Sequence, residues 1–247
     1  KYGPDIPAVL AYAERCASEL ADLEGADQNL EAVAAEREEA GQALRAAAER
    51  LSGVRRAAAE RLGRAVTGIL PQVALTRAEL KVGVFPGEMG PAGQDRVEFQ
   101  FTANPGEPVR PLARIASGGE LSRVMLAVQT VLARMDATPT LIFDEIDAGI
   151  SGRAGQSVAE CLAGLGEERQ VICVTHLPQI ASMAEHHYLI AKSVEGGRTR
   201  VSARRLDREG RVAEIARLVG GVELTATTLR HAEEMVRLAA ERRRRRE

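Results

Sequence analysis

Between Pro7 and Pro71 the chain contains no proline, and apolar residues recur through much of that stretch at alternating spacings of three and four. The series Leu23, Ala26, Leu30, Val33, Arg37, Ala40, Leu44, Ala47, Leu51, Val54 and Ala58 is broken only by Arg37, with Glu, Arg, Asp and Gln among the positions between. A strict repeat of ~3.5 residues sustained over several heptads is a coiled-coil seam, narrower than the stripe of a globular helix. The spacing predicts one helix from Pro7 to Leu70. Pro7 suits its first turn, while Gly25 and Gly41 weaken it locally. Roughly sixty residues rising ~1.5 Å each would reach about 90 Å. A seam needs a partner helix, and no second heptad stretch of comparable length follows. The partner is expected outside this chain.

Composition narrows what the arm is attached to. Of 247 residues 45% are hydrophobic but only 3% aromatic, with no Trp, which disfavours sandwiches and barrels built on aromatic packing. The 33 Lys and Arg nearly cancel the 35 Asp and Glu, so a net charge of −2 neither demands nor excludes a polyanionic partner. Cys16, Cys161 and Cys173 are an odd number without C-x-x-C spacing. They argue against a disulfide scaffold or a zinc site and suit a reducing cytoplasm. No run of about 18 apolar residues occurs, so no membrane-spanning helix is expected. The opening Lys1-Tyr2-Gly3 has neither Met nor a signal-like stretch, so the chain is expected to be part of something longer.

After Pro71 the period changes. Leu80–Phe85 and Val97–Phe101 alternate with period two and predict a β-hairpin or neighbouring antiparallel strands. Then come a helix over Leu121–Ala133, a buried strand over Thr140–Phe143, a helix over Arg153–Leu165 and a second buried strand over Gln170–Thr175. This alternation predicts a βαβ crossover with a parallel sheet. Tyr188–Lys192 and Thr199–Leu206 flank the turn Glu195-Gly-Gly-Arg198 as a closing hairpin, and helices follow near Val212–Val219 and Leu224–Glu241. The run Arg242–Arg246 reads as a solvated helix end that could also touch a polyanion.

Three segments carry chemistry. In Ser117-Gly-Gly-Glu-Leu-Ser-Arg123, Ser117 and Glu120 have capping-box spacing, but Gly118 and Gly119 each cost a helix start about 1 kcal/mol relative to Ala. What two glycines provide is bare N–H groups at a helix N-terminus, where the dipole favours an anion. In Thr140-Leu-Ile-Phe-Asp-Glu-Ile-Asp147, an apolar run ends in Asp144, Glu145 and Asp147. Carboxylates so close together repel unless a cation lies among them. At the carboxyl end of a parallel strand, Asp followed by Glu suits Mg²⁺ and a water-activating base. Val171-Ile-Cys-Val-Thr-His176 is a second buried strand ending in His176, a candidate sensor of a terminal phosphate; His186 and His187 lack metal-ligand spacing.

In this order the three segments resemble the second half of an ABC-type ATPase head: signature motif, Walker B, D-loop and switch histidine. The coiled coil points to the SMC-like branch that serves DNA repair and chromosome maintenance. The match sharpens toward the bacterial DNA-repair side at Arg114–Arg123, Phe143–Arg153 and Val174–Gln179. The resemblance implies an α/β fold: a coiled-coil arm over 1–70, one helix of an antiparallel pair, and the C-terminal lobe of the head over 71–247, with a P-loop NTPase-like sheet. It assigns Asp144 to Mg²⁺, Glu145 to polarising the attacking water and His176 to the γ-phosphate of ATP. It places Ser117, Gly118, Gly119 and Glu120 on a nucleotide held by a second protomer, and Asp147 and Gly149 on a D-loop that crosses the dimer interface. It also implies ATP-driven head dimerisation, DNA as partner, double-stranded or its ends, and a bacterial cytoplasmic, nucleoid-associated setting.

One departure matters. No G-x-x-x-x-G-K-[ST] loop occurs, and Gly87–Gly93 lacks both the Lys and the following hydroxyl. In the resembled family that loop lies in an N-terminal half, before the coiled coil. The chain is therefore expected to need that half, as Walker A lobe and as partner helix, and to hydrolyse no ATP alone. A transporter's nucleotide-binding subunit shares the signature logic but would not grow such an arm. A purely structural tether would not need Asp144, Glu145 and His176 together. Chromosome condensation within the same branch is the remaining alternative. For DNA, the candidate basic surfaces are Arg198, Arg200, Arg204, Arg205 and Arg208, and the Arg242–Arg246 tail.

Overall fold

The computed structural model describes residues 2–115, 117–133, 135, 137–195, 198–221 and 223–244, apart from the side chains of 26–29 and 195. Ala116 of the signature run, the Ala26 side chain of the seam, Gly196 and Gly197 of the turn and Arg245 and Arg246 of the tail lie outside this set. By contacts the chain divides into two units, Lys1–Arg56 with Val84–Arg96, and Ala57–Gly83 with Val97–Glu247.

Helix α1 runs over Ile6–Ile69, one residue earlier at each end than the sequence pattern predicts. In the first unit its seam is open to solvent: Leu23, Leu30, Val33 and Val54 are all more than 60% exposed. A different face, marked by Ala48 and Ser52 one turn apart, is buried instead. What meets it is the far end of a hairpin formed by β1 (Glu79–Gly90) and β2 (Gly93–Thr102), joined at Pro91-Ala92. These strands are longer than the alternating pattern indicates, because they continue through the Gly/Pro-rich segment that reads as a loop.

The hairpin tip is bound by a small polar cluster. Ser52 Oγ and Arg55 Nη1 donate to the Asp95 carboxylate at 2.7 and 3.0 Å, and Arg55 Nη2 donates to the Ala92 carbonyl at 2.7 Å. Gly93 sits at φ +95° with its Cα against Leu51, where a Cβ would come within 2.8 Å of Leu51 Cδ2. Position 93 therefore favours glycine for its backbone sign, while the side-chain ends of Leu51 and Arg55 that a Cβ would meet can shift. The Ser52 hydrogen bond, helped by Arg55, holds the Asp95 carboxyl below the usual carboxylate range.

The second unit holds the main core. Val66 from the end of α1, Leu70 and Val73 from the following 3-10 turn, and Leu80 and Phe101 from the hairpin pack with α2 (Gly118–Leu132) and α3 (Gly152–Gly166). Strands β4 (Thr140–Phe143) and β5 (Gln170–Cys173) pair in parallel, Thr140 opposite Gln170 and Phe143 opposite Cys173. This is the expected βαβ unit, with α3 as the crossover. A short β3 (Arg110–Pro111) pairs antiparallel with β2.

The β4–β5 sheet is covered on one face only. Leu141 and Phe143 are buried, whereas Ile142, Ile172 and Val174 are 71%, 46% and 57% exposed. Parallel sheets ordinarily bury both faces.

A six-residue helix, α4 (Pro178–Met183), follows His176 and has no clear signal in the sequence. Ala181 joins it to Ile215, Ala216 and Ala232 of α5 (Arg208–Gly220) and α6 (Ala226–Arg244). Arg211 donates to the carbonyls of Ser182 and Ala184, and Arg243 to those of Met183 and Ala184, capping the end of α4. Strands β6 (Tyr188–Glu195) and β7 (Arg198–Arg205) form a separate antiparallel ribbon.

Candidate functional site

The chemistry-bearing residues gather where β4 and β5 end side by side. Val174 N–H donates to the Phe143 carbonyl at 2.9 Å, so pairing continues one residue past β5. The chain then releases Asp144 and Glu145 from one strand end and Thr175 and His176 from the other. This is the carboxyl edge at which open α/β sheets bind ligands.

Asp147 joins the two strand ends. Its carboxylate accepts from Thr175 Oγ1 at 2.6 Å and from the His176 N–H at 2.7 Å, and it lies 3.0 Å from His176 Nδ1. The carboxylate is only 4% exposed while the imidazole is 73% exposed, so Asp147 is the inner anchor and His176 presents outward. Burial alone would raise the Asp147 pKa. The hydrogen bonds from Thr175 and His176, with the adjacent imidazole, outweigh burial and bring it below the usual carboxylate range. Burial, with Asp147 and Asp144 nearby, pushes the Cys173 thiol up to about 12, which leaves it protonated and inert.

Ser117 is the N-cap of α2, its hydroxyl accepting from the Glu120 N–H at 3.4 Å. The cap and the glycines are thus both present in the same helix start. Two side chains on the next turn fix it to the acidic segment. Ser122 Oγ donates to the Asp144 carbonyl at 2.8 Å, and buried Arg123 Nη1 donates to the carbonyls of Ala148 at 2.8 Å and Ile146 at 3.3 Å. Arg123 Nε is buried without a partner among the described residues.

The glycines allow this close approach. A Cβ on Gly119 would lie 2.8 Å from Ala148 Cβ and 2.9 Å from the Ala148 carbonyl. One on Gly118 would lie 2.5 Å from Glu145 Oε2. The Glu145 carboxylate thus packs against the first turn of α2, where helix N–H groups favour a negative charge. Glu145 is itself left-handed, at φ 56°, and its N–H donates to Asp144 Oδ1 at 2.9 Å. Such a backbone costs a non-glycine residue roughly 1–2 kcal/mol. Gly149, at φ 76°, turns the chain two residues beyond Asp147 and stands apart from these contacts.

The structure therefore brings Asp147 to His176, and Gly118 and Gly119 to Glu145 and Ala148. Thr175, Ser122 and Arg123 complete the site without any signal of their own in the sequence. Each is an ordinary polar residue next to a motif position, and only tertiary contact shows what it holds. Adjacent exposed carboxylates at 144 and 145 suit Mg²⁺, which commonly takes one or two protein carboxylates and completes its shell with substrate phosphates. Among the described residues no cluster of three or more His, Cys, Asp or Glu would hold a metal unaided.

Comparison with solved structures places the fold. The chain superposes on the Smc head domain with a coiled coil and joint derived from Pyrococcus yayanosii with a TM-score of 0.57 at 20% identity, over 85% of this chain and 38% of that one. The fold is that of part of an Smc head domain with its coiled-coil helix. No family model matches the sequence. Individual relatives do: the DNA repair protein RecN of Treponema pallidum is 42% identical over 99% of this chain and 44% of its own length. RecN of Vibrio cholerae is 40% identical over 88% of this chain and 40% of its own, and RecN of Deinococcus radiodurans is 41% identical over 96% and 42%. The chain belongs to the RecN family and spans about two fifths of the length of these relatives. Among the described residues no helix is long and apolar enough to cross a membrane.

Proposed function

We propose that this chain is the C-terminal lobe (71–247) and one coiled-coil arm (1–70) of an ATP-hydrolysing head that works in DNA double-strand break repair, in the bacterial cytoplasm and nucleoid. The observation that carries the reading is the convergence of Asp144, Glu145, Asp147 and His176 at adjoining carboxyl ends of two parallel strands, bound to the glycine-rich start of α2.

In this reading Glu145 accepts a proton from the water that attacks ATP, and His176 meets the terminal phosphate through the ring nitrogen that Asp147 leaves open. Asp144 holds Mg²⁺, which when bound would offset phosphate charge. Positioning and electrostatic stabilisation carry most phosphoryl transfer, so a rigidly held His176 is the group the fold has most to supply. Ser117, Gly118, Gly119 and Glu120 present the start of α2 to a nucleotide on a second protomer, with Asp147 and Gly149 on the connecting D-loop. ATP then joins two heads and hydrolysis releases them, so that DNA is held or its ends bridged.

Two bare apolar surfaces support a further half of the protein as partner. One is the seam of α1, and the other is the Ile142, Ile172 and Val174 face of β4–β5. A segment carrying a phosphate loop and a matching heptad helix would cover both.

Replacing Ser117 with Arg tests the assignment of the α2 start. A cation there opposes the helix dipole and fills the approach of an anion, while loss of the cap costs only about 1 kcal/mol. In the complete protein, Ser117→Arg should abolish ATP-dependent dimerisation measured by light scattering and leave ATP binding by the single head in place. A dimer that forms normally with ATP would refute the role given to Ser117.

A further inference from the structure

Gly119 and Arg123 stand one turn apart in α2, at the spacing that puts two side chains on the same helix face. Long helical side chains lean back toward the N-terminus of their helix, so Arg123 extends over position 119. Its Nη1 ends 3.1 Å from where a Cβ on Gly119 would lie, and the Ala148 Cβ and carbonyl oxygen are 2.8 and 2.9 Å from the same point. The missing side chain at 119 thus gives space to the guanidinium as well as to the segment around Ala148. From there Arg123 Nη1 donates to the carbonyls of Ile146 and Ala148, the residues on either side of Asp147.

Such a placement is unfavourable for a cation. Arg123 is only 5% exposed, and burial lowers its pKa by more than the attraction of Glu120 raises it. The acceptors it reaches are neutral carbonyls, whereas a buried charge is ordinarily matched by an opposite one, and an apolar side chain of similar volume often serves stability as well or better. What the guanidinium supplies, and an apolar side chain would not, is a hold on the backbone to both sides of Asp147. The Asp147 carboxylate is held separately, by Thr175 Oγ1 and the His176 N–H at the end of β5. Asp147 is therefore fixed from two directions, its backbone from α2 and its carboxylate from β5.

We propose that Arg123 is a positioning residue for ATP hydrolysis: it ties the Asp147–His176 pair to α2, so that the helix start and the imidazole move as one unit. In the reading above the start of α2 meets a nucleotide on a second protomer and His176 meets the nucleotide of its own head. Arg123 then lies on the physical connection between the two, through Ile146 and Ala148 to Asp147 and from Asp147 to His176. Each step in that connection is a direct hydrogen bond, a covalent neighbour or a 3.0 Å ion-pair contact. The inference rests on the ATPase reading and adds how the two parts of the site are joined within one head.

The test uses the complete protein. Arg123→Gln should lower kcat by about 10²-fold, the effect of moving a positioned group by ~1 Å, and change the KM for ATP far less. Arg123→Lys, which keeps the charge but not the planar fork, should fall between Arg123→Gln and the unaltered protein. Because Arg123 acts through Asp147, Arg123→Gln combined with Asp147→Ala should be no slower than Asp147→Ala alone. Hydrogen exchange gives a readout apart from turnover. In Arg123→Gln the amides of the 175–177 segment, which bond to Asp147 and Thr175, should lose protection while those of α5 keep theirs. A purely structural role would raise exchange across the lobe and leave kcat per folded molecule unchanged. Should Arg123→Gln fail to fold, Arg123→Lys decides by the same measurements. An unaltered kcat, losses that multiply in the double variant, or unchanged protection over 175–177 would overturn the proposal. A normal kcat in Arg123→Gln beside an inactive Glu145→Gln would remove this proposal and leave the ATPase reading standing, whereas no turnover by the unaltered protein would remove both.

Discussion

In the complete protein, Glu145→Gln should lower ATP turnover by roughly 10²–10⁴-fold, the usual contribution of a positioned general base. Gln keeps the shape of the side chain and removes its capacity to accept a proton. ATP binding and head association should survive, so an ATP-bound dimer should accumulate that the unaltered protein passes through only briefly. Phosphate release and light scattering measure the two halves of this expectation. The position is also structurally tolerant: Glu145 is exposed, and the hydrogen bond it makes to Asp144 Oδ1 uses its backbone N–H. A fall in turnover would therefore report chemistry. Turnover that persists in Glu145→Gln would move the base to another residue.

Asp147→Ala should combine a loss of stability with a loss of rate. The substitution leaves the Thr175 hydroxyl and the His176 N–H without their buried acceptor, at on the order of 1–3 kcal/mol for an unsatisfied donor. A loss of 2–3 kcal/mol corresponds to a fall in Tm of about 5–10 °C for a chain of this size. His176 also loses the partner of its Nδ1, and a displacement of about 1 Å in a positioned group can cost ~10²-fold. The rate loss should fall on kcat more than on KM, a split that general destabilisation would not produce.

The acid dependence gives a second check on Asp147. Its folded pKa is lowered, so its contribution is fully present above the unfolded carboxylate value of about 3.9 and disappears as pH falls through the lower folded value. The stability gap between unaltered protein and Asp147→Ala should be widest near neutrality and close in that acid window. A constant gap would mean that the Asp147 charge has no part in holding His176.

Much of this architecture is legible in the residues because it depends on local pattern. The proline-free heptads predict α1 to within a residue at either end, and the four-residue apolar runs ending in Asp144 and near His176 predict the parallel pair. What the residues do not show is three-dimensional occupancy. β1 and β2 extend through a Gly/Pro-rich stretch because their far end has a surface to pack on, around Ser52 and Arg55. α4 is short and rests on arginines from α5 and α6 more than on its own propensity. The same holds at the site. Asp144, Glu145, Asp147 and His176 stand out by charge and position, but that Asp147 turns inward to Thr175 and His176 depends on which strand lies beside β4. Glu145 meeting Gly118 depends equally on how α2 docks.

The measurement that bears most directly on the account is ATP hydrolysis by the purified 247-residue chain, set against the same chain co-expressed with the segment that carries a phosphate loop and the matching heptad helix. The chain alone should show no turnover, and the combined protein should show turnover that Glu145→Gln abolishes. ATP turnover by the chain alone, abolished by Glu145→Gln, would contradict it.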